Sequence, residues 1–310
     1  MSSSLPPGPR SRVLTTLRLA RAPTRHLPRW RDRYGDPFTL PLATGRVVVT
    51  ADAAEIRRIF TAEPDTFEIY SPRTLVPILG EGSLLLLTGP RHRRERKLLT
   101  PPFHGARMRA YGEVMAAIAG EHLRRRRPGE RFSALAMTQA ITIDVILRTV
   151  FGVEQAARLA TFRAAIDAAT RSAHPAVLFA PALQRAPLGL GPYARLERDQ
   201  ARLRGLLREQ IAAVRPVADE RPDILSLMLR ARYEDGSPMD DADVIDELRT
   251  LLLAGHETTA VALAWALHRL HEHPEILTRV RAELDALGPA PAPEAVAALP
   301  LLEAVCQETL

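Results

Sequence analysis

The sequence predicts a mainly α-helical protein with one small β-sheet. Segments with apolar residues at helical spacing occupy most of the 310 residues. A single stretch, residues 38–50, holds two short runs of strand-forming residues joined by a turn. No run of about 18 uncharged apolar residues occurs, so no helix reads as a membrane span. The composition, 46% hydrophobic and 25% charged, is that of a soluble globular protein with room for one large domain or two.

Leu5-Pro6-Pro7-Gly8-Pro9 cannot form a regular element, because proline lacks an amide donor and fixes φ. Arg10, Arg12, Arg18 and Arg21 interrupt any apolar core of the kind a secretory signal requires. Residues 1–22 therefore read as a Pro- and Arg-containing leader, and residues 23–310 as the folded domain. Residues 25–34 predict a short amphipathic helix stopped at Gly35-Asp36-Pro37. Residues 38–42 and 46–50 predict a hairpin, and Asp52 caps a helix that runs through Phe60. Residues 63–87 carry Pro64, Pro72, Pro77, Gly80 and Gly82 and read as mostly irregular; a long loop inside a compact domain is usually functional. Helices follow over 111–127, 134–151 and 154–171, the last two without obvious chemistry. Residues 174–193, rich in proline, glycine and apolar side chains, read either as a greasy lid or as a loop packed on the core. An amphipathic helix over 195–214 and a short one opening at Pro222 lead to a turn at Asp235-Gly236-Ser237-Pro238. Asp240 or Asp241 caps the next helix, and helices opened by Pro274 and Pro300 complete the chain.

The helix over 241–271 is the informative one. Val244, Leu248, Leu251, Leu252, Ala262, Leu263, Ala266, Leu267 and Leu270 keep helical spacing and predict a long, largely buried element. Into its most apolar part the sequence inserts Gly255, His256, Glu257, Thr258 and Thr259. Glycine costs about 1 kcal/mol against alanine there, and threonine hydroxyls bond back to the preceding turn, so a bend is expected. Gly255 and Thr258 share a face, a small notch carrying a hydroxyl with an acid beside it. In an apolar setting Glu257 is costly when ionised, which favours a neutral acid or a proton relay. The bland alternative is a buried helix whose glycine lets a neighbour approach. The zinc-protease pattern fails, because its second histidine would fall on Ala260.

Residues 89–103 form a basic helix ended by Pro101-Pro102, and a solvated or phosphate-attracting surface is the simple reading. His92 and Arg96 nevertheless share a face and suit a carboxylate, since guanidinium offers a bidentate fork. Arg124-Arg125-Arg126-Arg127 reads as a helix C-terminus with well-placed cations, and no interleaved aromatics support a nucleic-acid role. His268, His271 and His273 lack partners at clear ligand spacing, so no metal site is assigned. The net charge of +6 suits an acidic partner protein. A lone Cys306 rules out an intrachain disulfide and fits a reducing cytoplasm; its usual place would be the core.

Ala254-Gly255-His256-Glu257-Thr258-Thr259 resembles, at every position, the oxygen-activating helix of the cytochrome P450 family, Ala/Gly-Gly-x-Asp/Glu-Thr-Thr/Ser. His92 and Arg96 with the Pro-x-Phe turn at Pro101-Pro102-Phe103 resemble its propionate-binding helix, and Tyr34-Gly35-Asp36-Pro37-Phe38 its opening. The resemblance implies the cytochrome P450 fold, N-terminal and central portion, of a soluble bacterial-type haem-thiolate monooxygenase. It implies that Thr258 and Glu257 are catalytic and deliver protons, and that His92, Arg96, Ala254 and Gly255 bind haem. It further implies that residues 63–87 roof the substrate pocket and that 174–193 guard access to it. The implied partners are an apolar small-molecule substrate, dioxygen and an electron-donor redox protein, a ferredoxin or a flavodoxin/reductase, in the cytoplasm.

Glu308-Thr309-Leu310 matches the first three positions of the family's structural Glu-x-x-Arg, whose arginine would be the next residue. The later glycine-rich loop that presents the thiolate ligand is not in the sequence, and Cys306 lacks its surroundings. Haem is accordingly expected in the full-length protein, and a truncated non-catalytic fragment unable to ligate haem iron is the alternative.

Overall fold

The computed structural model describes residues 5–63, 66–68, 74–103, 106–179, 184 and 189–310. Its contacts divide the chain into two units: residues 1–75 with 170–198, and residues 76–169 with 199–310. Helices dominate, and the two strands form one antiparallel sheet.

The first unit is built on the hairpin. Strands β1 (Phe38–Leu42) and β2 (Gly45–Val49) pair in the register Phe38↔Val49 to Leu42↔Gly45. Phe38 and Leu40 bury one face with Trp30, and Leu19, Leu27, Tyr34 and Val49 complete the cluster. Helix α1 (Arg12–Arg21) supplies Leu19, and α2 (Pro23–Tyr34) supplies Leu27, Trp30 and Tyr34. The presumed leader is thus more ordered than its composition suggests, because Ser11 caps α1 by accepting the Leu14 amide. The proline stretch is also held: Thr39 donates through its amide to Pro7 O at 2.9 Å and through Oγ1 to Pro6 O at 2.7 Å. A Cβ on Gly8 would lie 1.8 Å from Thr39 O, so only glycine permits this approach. Helix α3 (Ala53–Phe60) is capped by Asp52, as expected.

The second unit holds the larger core. It contains α4 (Val76–Leu79), α5 (Gly89–Leu99), α6 (Ala106–Arg124), α7 (Ala134–Val145) and most of α8 (Ala156–Ser172). The short α4 interrupts the stretch expected to be irregular, while Pro64 and Pro72 lie outside the described residues. Helix α9 (Pro175–Phe179) opens the lid candidate; residues 180–183 and 185–188 of that candidate also lie outside them. After α10 (Pro192–Val214), Asp223 caps α11 (Ile224–Arg230) by accepting the Ser226 amide. Phe162, Leu147, Phe151, Leu207, Leu225, Val244 and Leu248 are fully buried in one cluster, so the turn after α7, helices α8, α10 and α11 and the following helix share a single core.

Two departures from the expected helices shape the site. The helix predicted over 134–151 ends at Val145 and continues as a π turn, Ile146–Val150, in which Phe151 N donates to Ile146 O. Such wide turns gather at functional sites. The helix predicted over 241–271 is two: α12 (Asp241–Gly255), capped by Asp240, and α13 (Glu257–Glu272). Burial stops there as well, since Ala260 is the one buried residue of α13 and Trp265 is 51% exposed. Residues Asp241–Glu272 together are long and apolar enough, by length and composition, to cross a membrane. The chain ends with α14 (Pro274–Asp285), α15 (Pro293–Ala297) and α16 (Pro300–Thr309).

Candidate active site

The site is organised by the break between α12 and α13. His256 occupies it with φ −81° and ψ −71°, and the ladder stays linked: His256 N donates to Leu252 O at 3.1 Å and Ala260 N to His256 O at 3.0 Å. A Cβ on Gly255 would come within 3.2 Å of Ile146 Cδ1. The absence of a side chain at Gly255 thus leaves room for Ile146 of the π turn.

Three side chains of α7 pin the break. Thr138 Oγ1 donates to Ala260 O at 2.8 Å, Thr142 Oγ1 lies 2.8 Å from His256 Nδ1, and Gln139 Nε2 donates to both Glu257 oxygens at 3.2 Å. His256 Nε2 is 3.5 Å from Glu257 Oε1. Burial lowers the His256 pKa, with Glu257 opposing, so the ring is neutral at pH 7. With Nε2 protonated, Nδ1 accepts from the Thr142 hydroxyl. These residues correct two expectations. Helix α7 is not without chemistry, and Glu257 is not in an apolar setting: its side chain is 39% exposed and hydrogen-bonded.

Thr258 Oγ1 donates to Ala254 O at 2.5 Å, the expected bond to the preceding turn. That bond uses its one proton and leaves its lone pairs free. Leu251, Ala254, Gly255 and Thr258 form one stripe, with Ala254 and Thr258 exposed and Leu251 and Gly255 half-buried. Leu251 also lines a cavity of about 270 Å³ together with Leu84, Leu85, Arg96, Leu99 and Glu247.

The basic face of α5 divides in two. Arg91 pairs with Asp243 at 2.9 Å, Arg94 with Asp235 at 3.3 Å, and Lys97 with Glu234 at 2.5 Å. Arg94 also lies over the Tyr233 ring, 3.7 Å from its centre. Arg96 differs: its guanidinium has no carboxylate partner among the described residues, and it faces the cavity. His92, one turn earlier, is half-buried and is not part of the cavity wall. The structure thus brings Arg96 to the stripe through Leu251, while His92 stays apart from it.

Glu308 is exposed on α16, with no partner among the described residues. Cys306 is exposed as well, not a core residue as its type suggested. His268 lies 3.4 Å from Glu272 and His273 3.5 Å from Glu275, so each has a carboxylate close by. Arg125 and Arg126 pair with Glu121 and Glu130. Sequence reasoning missed Thr138, Gln139, Thr142 and Glu247. The first three stand in the sequence as polar residues in a mainly apolar helix. Glu247 gave no signal, since an acid in the first half of a capped helix is ordinary.

The break thus carries a Gly, an acid and a threonine and is set against polar side chains of α7. The chain belongs to the cytochrome P450 family, whose model matches residues 5–310. It is 35% identical over 289 residues to the Mycobacterium tuberculosis protein named cytochrome P450 135A1, covering 90% of this chain and 63% of that one. It is 37% identical over 270 residues to the Mycobacterium bovis protein named cytochrome P450 138, covering 84% and 59%. The chain therefore spans less than two thirds of the length of these curated relatives. Cyanobacterial CYP120A1 with retinoic acid bound superposes with a TM-score of 0.82 at 26% identity, over 99% of this chain and 69% of that one. The haem domain of cytochrome P450DA does so at 0.81 and 21% identity, a likeness of fold.

Proteins of this family use haem. The residues present fit it: the stripe sets small, exposed side chains beside a half-buried leucine, and Arg96, in the cavity wall with that leucine, has no carboxylate partner among the described residues.

Proposed function

We propose that the chain forms the oxygen-handling side of a haem-dependent monooxygenase that oxidises an apolar small molecule. The observation that carries this is the open stripe Leu251, Ala254, Gly255 and Thr258, with Glu257 held beside it by Gln139. Arg96, with His92 behind it on α5, would hold the carboxylates of the cofactor, and Ala254 and Gly255 would lie against its face. Haem, when bound, supplies the iron centre at which dioxygen is activated and one oxygen atom passes to substrate.

The chain's own residues then manage protons. Glu257 is half-exposed, so it exchanges protons with solvent while Gln139 keeps both of its oxygens in place. Thr258 can accept a hydrogen bond without moving; to donate toward the stripe, its hydroxyl must leave Ala254 O. His256, whose pKa burial lowers, stays neutral near pH 7 and takes no proton itself. The electron donor is a separate redox protein, a ferredoxin or flavodoxin/reductase, and the net charge of +6 favours an acidic one. We place the protein in the cytoplasm, where its exposed Cys306 stays reduced.

The test is Thr258→Ala in the haem-loaded protein, with electrons consumed, product and peroxide measured together. Haem content should be unchanged and product per electron should fall about tenfold or more, as for loss of a proton-transfer group. Unchanged coupling would remove Thr258 from the mechanism.

A further inference from the structure

Residues 77–84 are tied to α12 by side chains that the proton path does not use. Arg249 Nη2 donates to Pro77 O at 2.7 Å, Asp246 Oδ2 accepts from Gly82 N at 3.0 Å, Thr250 Oγ1 bonds to Ser83 Oγ at 2.7 Å, and Glu247 Oε1 accepts from Leu84 N at 2.5 Å. The glycines fit the acids, since a Cβ on Gly80 would lie 1.9 Å from Asp246 Oδ1 and one on Gly82 2.3 Å from Asp243 Oδ1. Fixing this segment needs no buried acid at the fourth of these ties. Glutamine would accept the same amide without the desolvation cost.

Glu247 also differs from the others in position. It and the residue it holds, Leu84, both line the cavity that contains Arg96 and Leu251, and the next residue, Leu85, continues the wall. It is 2% exposed, with the acids Glu95, Asp246 and Asp243 near it and Arg96 in the same cavity wall. We propose that Glu247 is a positioning residue for ligand shape: by accepting the Leu84 amide from within the cavity, it fixes Leu84 and Leu85 as one apolar wall. The width of ligand the cavity admits follows from where that wall stands. The amide half of this inference stands alone; the ligand half rests on the haem-site reading above.

Amide exchange, resolved at single residues, tests the first half in Glu247→Leu and Glu247→Gln. The leucine variant should speed exchange at Leu84 about tenfold, the equivalent of one net hydrogen bond, and the glutamine variant should keep it slow. The Gly82 amide, held by Asp246, and the core amide of Ile166 should stay protected in both. Unchanged exchange at Leu84 in Glu247→Leu overturns the proposal. Should that variant expose Ile166 too, Glu247→Asp, one methylene shorter, decides on the same criterion.

For the second half, the haem-loaded full-length protein is titrated optically with imidazole and 1-octylimidazole. Glu247→Leu should change the ratio of the two Kd values roughly tenfold, the scale that a misfitted methylene commands in an apolar pocket, while Glu247→Gln leaves it unchanged. An unchanged ratio in Glu247→Leu overturns the ligand half. A full-length protein that takes up no haem removes that half together with the reading it rests on, and the amide result still decides the first.

Discussion

At the scale of single residues, the site depends on polar groups whose partners are on another helix. Thr142 is the clearest case, because its hydroxyl is 2.8 Å from a buried ring nitrogen of His256. Thr142→Val keeps the shape and leaves Nδ1 without a partner, so it should destabilise the protein by about 1–3 kcal/mol, read from denaturant midpoints. A loss under about 0.5 kcal/mol, the ordinary scatter of a neutral change, would mean that the ring is satisfied elsewhere. Ala254-Gly255-His256-Glu257-Thr258-Thr259 was legible in the sequence because it breaks helix rules in the middle of an apolar run. Thr138, Gln139 and Thr142 were not, since which helix faces which is a tertiary fact. The environment of Glu257 was misread for the same reason: the amide that holds it lies 118 positions earlier.

At the scale of elements, the break between α12 and α13 balances helix propensity against packing. Gly255→Ala should gain about 1 kcal/mol of helix propensity, but its Cβ meets Ile146 Cδ1 at 3.2 Å. Ile146→Val removes that atom. A double-mutant cycle on denaturant stability should therefore show the gain from Gly255→Ala only in the Ile146→Val background, with a coupling of about 0.5–1 kcal/mol. Additive effects would mean that Gly255 is not there for Ile146. Gly80→Ala should be worse, because φ is +89° and the Asp246 carboxylate lies within about 2 Å of the new Cβ. A loss of about 1–3 kcal/mol is expected, and a neutral result would contradict the tie between residues 80–84 and α12. Caps at Asp52 and Asp240, the hairpin and most helix starts were readable locally. The π turn, α4 and the order of residues 6–21 were not, because neighbours rather than propensity decide them.

At the scale of the whole molecule, two buried groups give stability opposite pH slopes. Burial, assisted by Glu95, Asp246 and Asp243 and opposed by the Leu84 amide, raises Glu247 from near 4.5 to about 8. Its contribution is complete below pH 4.5 and is lost as pH rises toward 8, because the unfolded acid ionises first. His256 is lowered from 6.5, so its contribution is present above that pH and fades as pH falls, when the unfolded ring takes up a proton. Thermal midpoints across pH 4 to 9 should therefore lose their decline toward about pH 8 in Glu247→Gln, and their acid-side decline near 6.5 should flatten in His256→Gln. Parallel curves for a variant and the native chain would contradict the corresponding assignment. The central claim, that the stripe on α12 and α13 lies against haem, has a more direct test in alanine-methyl NMR of the haem-loaded protein. Ala254 should be broadened or shifted far more than Ala231 when the paramagnetic iron is present. An unaffected Ala254 in a protein that holds haem would place the cofactor elsewhere and contradict the account.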